Sequence, residues 1–430
     1  MKIFKIFTLT LGLSIALTAC ASADPDATDD ISMIWWGNQV RNEVTQDALD
    51  LFSQQNGNIS IDPQFSNWSE YWGKLAILAT SKSLPDVIQQ DHAYINQYVE
   101  NGLIVNLNPY IESGALNVSN IDPNILASGT VDGNVYAICA GINAPALAYN
   151  KTLLDDLGIA VDNDLSIAEF VAISKEVYEK SGVKTDFGLS GSFNMVNYTL
   201  RGEGKSLYNA AGDALGVDSE DDLLTWFQLY EQGIAEKWAI GPEILVERVG
   251  NEQSPLVYGN TPETRSWCEP KHSNELTVVQ NIASLENIDI ALTTWPSDDI
   301  TSSNYLKPGQ FFSLSAHNNN PDLAVKLLDF LTNSIEANQI LLAERGIPAS
   351  NVVASELLPY LNDVQKEAAT YVNDVVATNS SVISPPDPPK SGEINALLFN
   401  LMEQIGYGVI TAEEAAAEFF ESGNKILANK

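Results

Sequence analysis

The feature that most limits what this chain can form is the regular exchange of short apolar runs with helical spacings that begins at Ile31. Ile31-Ser-Met-Ile-Trp-Trp is a buried-strand run that stops at Gly37, and Val40, Val44, Ala48, Leu51 and Phe52 then recur at helical spacing up to Asn56-Gly57. Ile59, Ile61 and Phe65 alternate as in a half-buried strand, and Pro63 places that strand at a sheet edge. A second helical stretch covers about residues 70–81, and Pro85-Asp-Val-Ile-Gln is another short strand. Strand, helix, strand, helix, strand predicts an α/β layer on a parallel sheet.

Later segments keep the theme. Residues 135–150 read as extended, broken at Asn143-Ala-Pro145. Helices are expected near 166–181, 221–232 and 275–284, and Phe311-Phe-Ser-Leu-Ser-Ala returns to strand. Asn320-Pro321 opens a helix with an N-cap and a first-position proline, and Thr411 with Glu414 forms a capping box for the last one. Residues 384–389, Ser-Pro-Pro-Asp-Pro-Pro, read as a rigid extended connector. Gly202-Glu-Gly-Lys-Ser206 imitates half of a phosphate loop, but Thr199 stands where that motif needs glycine, so it reads as a surface loop. A chain of 430 residues exceeds one core and fits two lobes.

The first thirty residues point outside the cytoplasm. Lys2 and Lys5 precede an apolar run from Ile6 to Ala19, too short for the roughly 18–20 residues of a bilayer span. Leu17-Thr18-Ala19-Cys20 resembles a bacterial lipobox, which predicts a signal peptide over 1–19 and lipidation at Cys20; the plain alternative is cleavage near Ala21 or Ala23. The small, acidic stretch over 20–30 reads as a flexible tether. The expected location is extracytoplasmic, held to the outer face of the cell membrane by lipid alone (the periplasmic side where an outer membrane exists).

Charge narrows the partners. A net charge of −34 repels nucleic acid and bare anionic lipid and favours a neutral ligand, without excluding a local basic site for an acidic sugar. Cys139 and Cys268 are 129 positions apart and make no disulfide framework, so free buried thiols are expected. His92, His272 and His317 are scattered, so neither a metal site nor any cofactor is expected.

Four stretches, taken in order, resemble the extracellular solute-binding proteins of bacterial carbohydrate ABC importers (family 1), in lipoprotein form. They are Trp35-Trp-Gly-Asn-Gln-Val-Arg41; Phe65-Ser-Asn-Trp-Ser-Glu-Tyr-Trp-Gly-Lys-Leu75 with Leu84-Pro-Asp-Val-Ile-Gln-Gln-Asp91; Val131-Asp-Gly-Asn-Val-Tyr-Ala-Ile with Asn143-Ala-Pro-Ala-Leu-Ala-Tyr-Asn-Lys151; and Tyr305 to Ser315 with Glu344-Arg-Gly-Ile-Pro348. Asn38, Cys139 and Trp267-Cys-Glu-Pro depart from the family pattern. The resemblance implies a two-lobed α/β fold of the periplasmic-binding-protein type, with three interlobe crossings and a ligand cleft between the lobes. Lobe 1 would comprise 31–143 plus 313–344, lobe 2 would comprise 149–307 plus 349–430, and hinges would lie near 143–149, 307–312 and 344–349. It further implies a monomer that captures a sugar or oligosaccharide by cleft closure and delivers it to membrane permease subunits, the ATPase being a separate chain.

Sugars show apolar C–H faces and rings of hydroxyls, so flat aromatics and planar polar groups are the side chains to seek. The candidates are Trp36 after the first strand, Arg41 at the next helical turn, Trp68 where the second strand meets its helix, and Asp91 after the third strand. Asn143, Trp267, Phe312 and Arg345 complete the set. Each has a bland alternative: core packing for the aromatics, a helix charge for Arg41, a cap for Asp91, hinge structure for Asn143 and Arg345. No catalytic residue is assigned. A secreted glycosidase or lyase needs two carboxylates facing one bond, and 56 acidic residues make chance pairs uninformative. A sugar receptor for signalling also remains open.

Overall fold

The computed structural model describes residues 30–37, 39–188, 195–246, 248, 251–385, 387–388 and 390–428. The expected signal peptide over 1–19, the expected lipidation site Cys20, all of the expected tether except Asp30, and Asn38 therefore lie outside the described residues. Among the described residues no helix is long and apolar enough to cross a membrane.

The opening alternation folds as its pattern dictates. Strand β1 (Ile31–Trp36) leads to helix α1 (Gln39–Gln55), β2 (Ile61–Ser66), α2 (Trp68–Thr80) and β3 (Val87–Gln90). β1 pairs in parallel with both β2 and β3, and β2 with its Pro63 lies at the sheet edge. Proline can occupy an edge because no outer neighbour needs its missing N–H. Helix α1 turns Thr45, Ala48, Leu49 and Phe52 inward. That face is displaced by about a residue from the expected one, and Val40 is left exposed.

A small hairpin, β4 (Thr130–Val131) and β5 (Asn134–Val135), precedes β6 (Ile138–Asn143) and β7 (Pro145–Asn150). β6 joins the first sheet and β7 founds a second, with only Ala144 between them, at the expected break. In the second sheet β7 lies between β8 (Cys268–His272) and β9 (Ile290–Thr293), antiparallel to both. The chain returns in β10 (Lys307–Leu314), which inserts between β3 and β6, antiparallel to each. The first sheet is therefore mixed rather than wholly parallel, because β10 re-enters it from the side of the second. Residues 307–312, expected as hinge, are paired strand.

One apolar core packs around the first sheet and reaches the near face of the second; another, rich in Phe, Tyr and Trp, packs on the far face with the C-terminal helices. The helix Asn351–Leu357, expected in the second lobe, is tied to the first: Asn351 N donates to the Asn120 carbonyl at 2.8 Å, and Ile121 and Ser350 form a β-bridge. Caps stop and start the helices where the sequence places them. Ser166 and Glu169 form a reciprocal capping box ahead of Ile167–Ser181, Asn320 caps Pro321–Asn333, and Thr411 and Glu414 cap Ala412–Ala428.

Where the two sheets meet, three stretches of backbone touch. Ile142 and Ile347 exchange backbone hydrogen bonds at 2.7 and 3.0 Å. A Cβ on Gly141 would sit 2.4 Å from the Arg345 carbonyl oxygen, and Gly346 holds φ +106° beside Ile142. Glycine is required at both positions, for close approach at the first and for backbone conformation at the second.

Candidate functional site

A cleft of about 1010 Å³ opens beside this junction, between the two sheets. Its first-sheet side is built by residues just past strand ends: Asp91 and His92 after β3, Asn143 at the end of β6, and Lys307 at the start of β10. Ligand crevices of α/β sheets form at such strand ends. Its opposite side carries His272 and Glu275 after β8, Asn197 from the helix Met195–Gly202, and the segment near Ser384.

Of the eight residues expected at the site, four line this cleft: Arg41, Asp91, Asn143 and Arg345. The two arginines bond mainly to the protein, although Arg345 Nη1 has no hydrogen-bond partner among the described residues. Arg41 donates to the carbonyls of Trp36 at 3.4 Å and Glu344 at 3.1 Å, and pairs with the Glu344 carboxylate at 3.5 Å. With its amide oxygen turned toward Arg41, Gln310 accepts from both terminal nitrogens at 2.9 and 3.2 Å. Arg345 is buried, donating from Nε to Gln89 at 2.9 Å and from Nη2 to Thr45 at 2.9 Å, with Phe312 under its guanidinium at 5.5 Å. Burial, then the neighbouring Arg41 charge, lowers the Arg345 guanidinium to about 9. Both hold β1, α1, β3 and the 344–347 stretch in place. Asp91 Oδ1 accepts from Ala93 N at 3.0 Å, so one carboxylate oxygen caps the turn that presents residues 91–93 to the cleft.

The four aromatic candidates fall elsewhere. Trp267 is 0 % exposed in the second core, its indole N–H donating to Thr185 Oγ1 at 2.9 Å, and Phe170 packs against its ring at 5.9 Å. It is a core residue, because no ligand can reach a ring with no open surface. Phe312 is likewise buried, packed in the first core and beneath Arg345. Trp36 is buried in an aromatic cluster with Tyr71 and Trp72. Trp68 is 47 % exposed, meeting Trp36 edge-on at 5.0 Å. Trp72 beneath it stacks on Tyr94 at 3.8 Å, which places this cluster three residues from cleft-lining Asp91. Trp68 is thus an exposed ring on an aromatic support, outside the cleft lining.

Sequence reading missed the second-sheet side: His272, Glu275, Asn197, Ser384 and Asp387. They lie at the end of β8, in the turn after it, on the helix Met195–Gly202 and on an irregular segment, and no sequence pattern marks them as facing one cleft. Burial lowers His92 and His272, which keeps both imidazoles neutral near pH 7. Burial works to raise Glu275, but hydrogen bonds from the His272 side chain and backbone, with the Lys271 charge, hold it below its ordinary value. Cys139 and Cys268 are free and buried, as the sequence suggests, and burial pushes the Cys139 thiol up to about 12. Among the described residues no group of three or more His, Cys, Asp or Glu side chains is arranged to hold a metal ion. The cleft offers neutral imidazoles, amides, hydroxyls and a few separated charges, a surface for holding a polar molecule by hydrogen bonds.

Residues 47–370 match the family model described as bacterial extracellular solute-binding protein. Among solved structures, an extracellular solute-binding protein family 1 from Alicyclobacillus acidocaldarius superposes with a TM-score of 0.83 at 25 % identity, covering 93 % of this chain and 98 % of that one. A periplasmic oligogalacturonide binding protein from Yersinia enterocolitica gives 0.73 at 19 % identity, with 92 % and 98 % covered. The GacH receptor of Streptomyces glaucescens gives 0.63 at 18 %, with 93 % and 98 % covered.

Proposed function

Since the chain belongs to the bacterial extracellular solute-binding proteins, we propose that it is the carbohydrate-binding lipoprotein of an ABC importer, capturing a sugar or oligosaccharide between its lobes and passing it to a permease. The observation that carries this reading is the 1010 Å³ polar cleft, furnished from both sheets. Its volume suits an oligosaccharide better than a single small ion or amino acid. The names of two relatives agree: the Yersinia protein binds oligogalacturonide, and the Streptomyces receptor has been seen with acarbose.

The eight candidate residues then divide by role. Asp91 and Asn143 are proposed to bond sugar hydroxyls, Trp68 to stack on a sugar face, and Arg41 and Arg345 to position the strand ends. Hinge motion about Ala144, between β6 and β7, and about 344–349 closes the lobes on the ligand. The protein is read as a binder rather than an enzyme, because the family it belongs to is one of solute-binding proteins. Cys20 anchors it by lipid, so Cys20→Ala moves the protein out of the membrane fraction; retention there, with no lipid on the wild type, contradicts the anchor.

A thermal-shift screen of the mature protein against mono- and oligosaccharides tests the ligand class. A sugar at ~100 times its dissociation constant stabilises by roughly 2.7 kcal/mol. A flat response to every sugar, alongside a shift with amino acids or peptides, contradicts the reading.

A further inference from the structure

Residues 384–389 read from sequence as a rigid connector, yet Ser381, Val382 and Ser384, at or just before its start, are fastened to the helix Met195–Gly202 and the segment 302–304. Arg201, in the helix Met195–Gly202, is 8 % exposed and must satisfy a guanidinium with five donors away from water. Its Nε donates to the Ser303 carbonyl at 3.1 Å, and Nη1 donates to Ser384 Oγ at 2.9 Å. Nη2 donates to Ser381 Oγ at 2.6 Å and to the carbonyls of Val382 at 3.0 Å and Asn304 at 3.4 Å. The Tyr305 ring lies under the guanidinium at 5.1 Å. Ser381 adds a backbone bond to Asn304 at 3.0 Å and a side-chain bond to Ser302 at 2.9 Å.

One turn before Arg201 on the same helix face, Asn197 donates to Ser384 Oγ at 3.4 Å, and both Asn197 and Ser384 line the cleft. The same stretch carries Asp387 into the cleft lining, which Lys307 enters from the first sheet. Desolvation raises the Asp387 carboxyl, and the Lys307 ammonium opposes that rise. A connector would need none of this.

We infer that residues 381–385, pinned by Arg201, form a wall of the ligand cleft, and that Asp387 beyond them, in a cleft that Lys307 also lines, selects uncharged oligosaccharides over uronates. The inference rests on the carbohydrate reading above. Sugar hydroxyls can donate to Asp387 and accept from Lys307. A uronate gains at Lys307 but meets like charge at Asp387, and rejection by an opposed charge is how such sites discriminate.

Two measurements on the full mature protein test it, using maltotriose as the neutral probe and trigalacturonate as the acidic one. By titration calorimetry at low salt, Asp387→Asn should shift the ratio of the two association constants toward trigalacturonate by about fivefold or more, with the melting temperature unchanged. A ratio equal to the wild type's would overturn the selective role. By hydrogen exchange, Arg201→Lys should speed exchange in 381–385 while leaving β1 and β7 protected; Ser381→Ala gives the same readout where the lysine variant fails to fold. Unchanged protection of 381–385 in both variants overturns the pinned wall. If the wild type binds neither probe nor any other sugar, the carbohydrate reading and the selectivity claim fall together. The exchange result then decides the wall alone.

Discussion

Trp68 and Trp267 are the same side chain in opposite circumstances, one 47 % exposed on an aromatic support and one fully enclosed. Trp68→Ala should weaken sugar binding about tenfold, the value of a partly buried aromatic face, and leave the unliganded melting temperature nearly unchanged. Trp267→Ala should do the reverse, costing about 3–5 kcal/mol of stability through the cavity it leaves. Calorimetry and thermal melts on both variants check this; equal effects of the two substitutions on stability contradict the assignment. Polar candidates at strand ends were legible because a residue's place after a strand follows from the pattern, as with Asp91 and Asn143. Aromatic candidates were not, because a tryptophan beside a strand end suits core and cleft alike, and burial is decided by neighbours remote in sequence, such as Phe170 and Thr185 for Trp267.

At the scale of elements, β1 to β3, the helices between them and the capped helices at 167–181, 321–333 and 412–428 were readable, since periodicity and caps are local signals. The antiparallel insertion of β10 was not, because no local pattern encodes which strand a returning segment will join. Beside the second sheet lies a buried acidic group that periodicity cannot reveal. Asp186 is 1 % exposed, near Glu269, Lys271, the Cys268 thiol and Tyr230, with Oδ1 accepting from Gly188 N at 2.7 Å. Burial, and then the Glu269 charge, raises its carboxyl to about 7. The folded protein therefore holds a proton that the unfolded chain, with an ordinary value of 3.8, has released. This contribution to stability is full below the unfolded value and is lost as pH rises through about 7. Melting temperatures followed across that range should fall with rising pH more steeply for the wild type than for Asp186→Asn. Parallel profiles contradict the raised carboxyl.

Across the whole molecule, two sheets meet along the touching backbone of residues 141–142, 309 and 345–347, and the cleft opens beside that junction with groups from both sides. The two-lobed class was legible from chain length and alternation, while the second side of the cleft was not, because His272, Asn197 and Ser384 come together only through tertiary packing. The account's central claim is that a carbohydrate is held in this cleft by residues of the strand ends. The direct measurement is titration calorimetry of the sugar that stabilises the wild type most, repeated on Asp91→Ala and Asn143→Ala. Loss of one charge-assisted and one neutral hydrogen bond, about 1.5–3 and 0.5–1.5 kcal/mol respectively, predicts one-to-one binding weakened about tenfold or more by the first substitution and less by the second. Wild-type affinity in both variants, with the sugar still bound, would place the ligand somewhere other than this cleft.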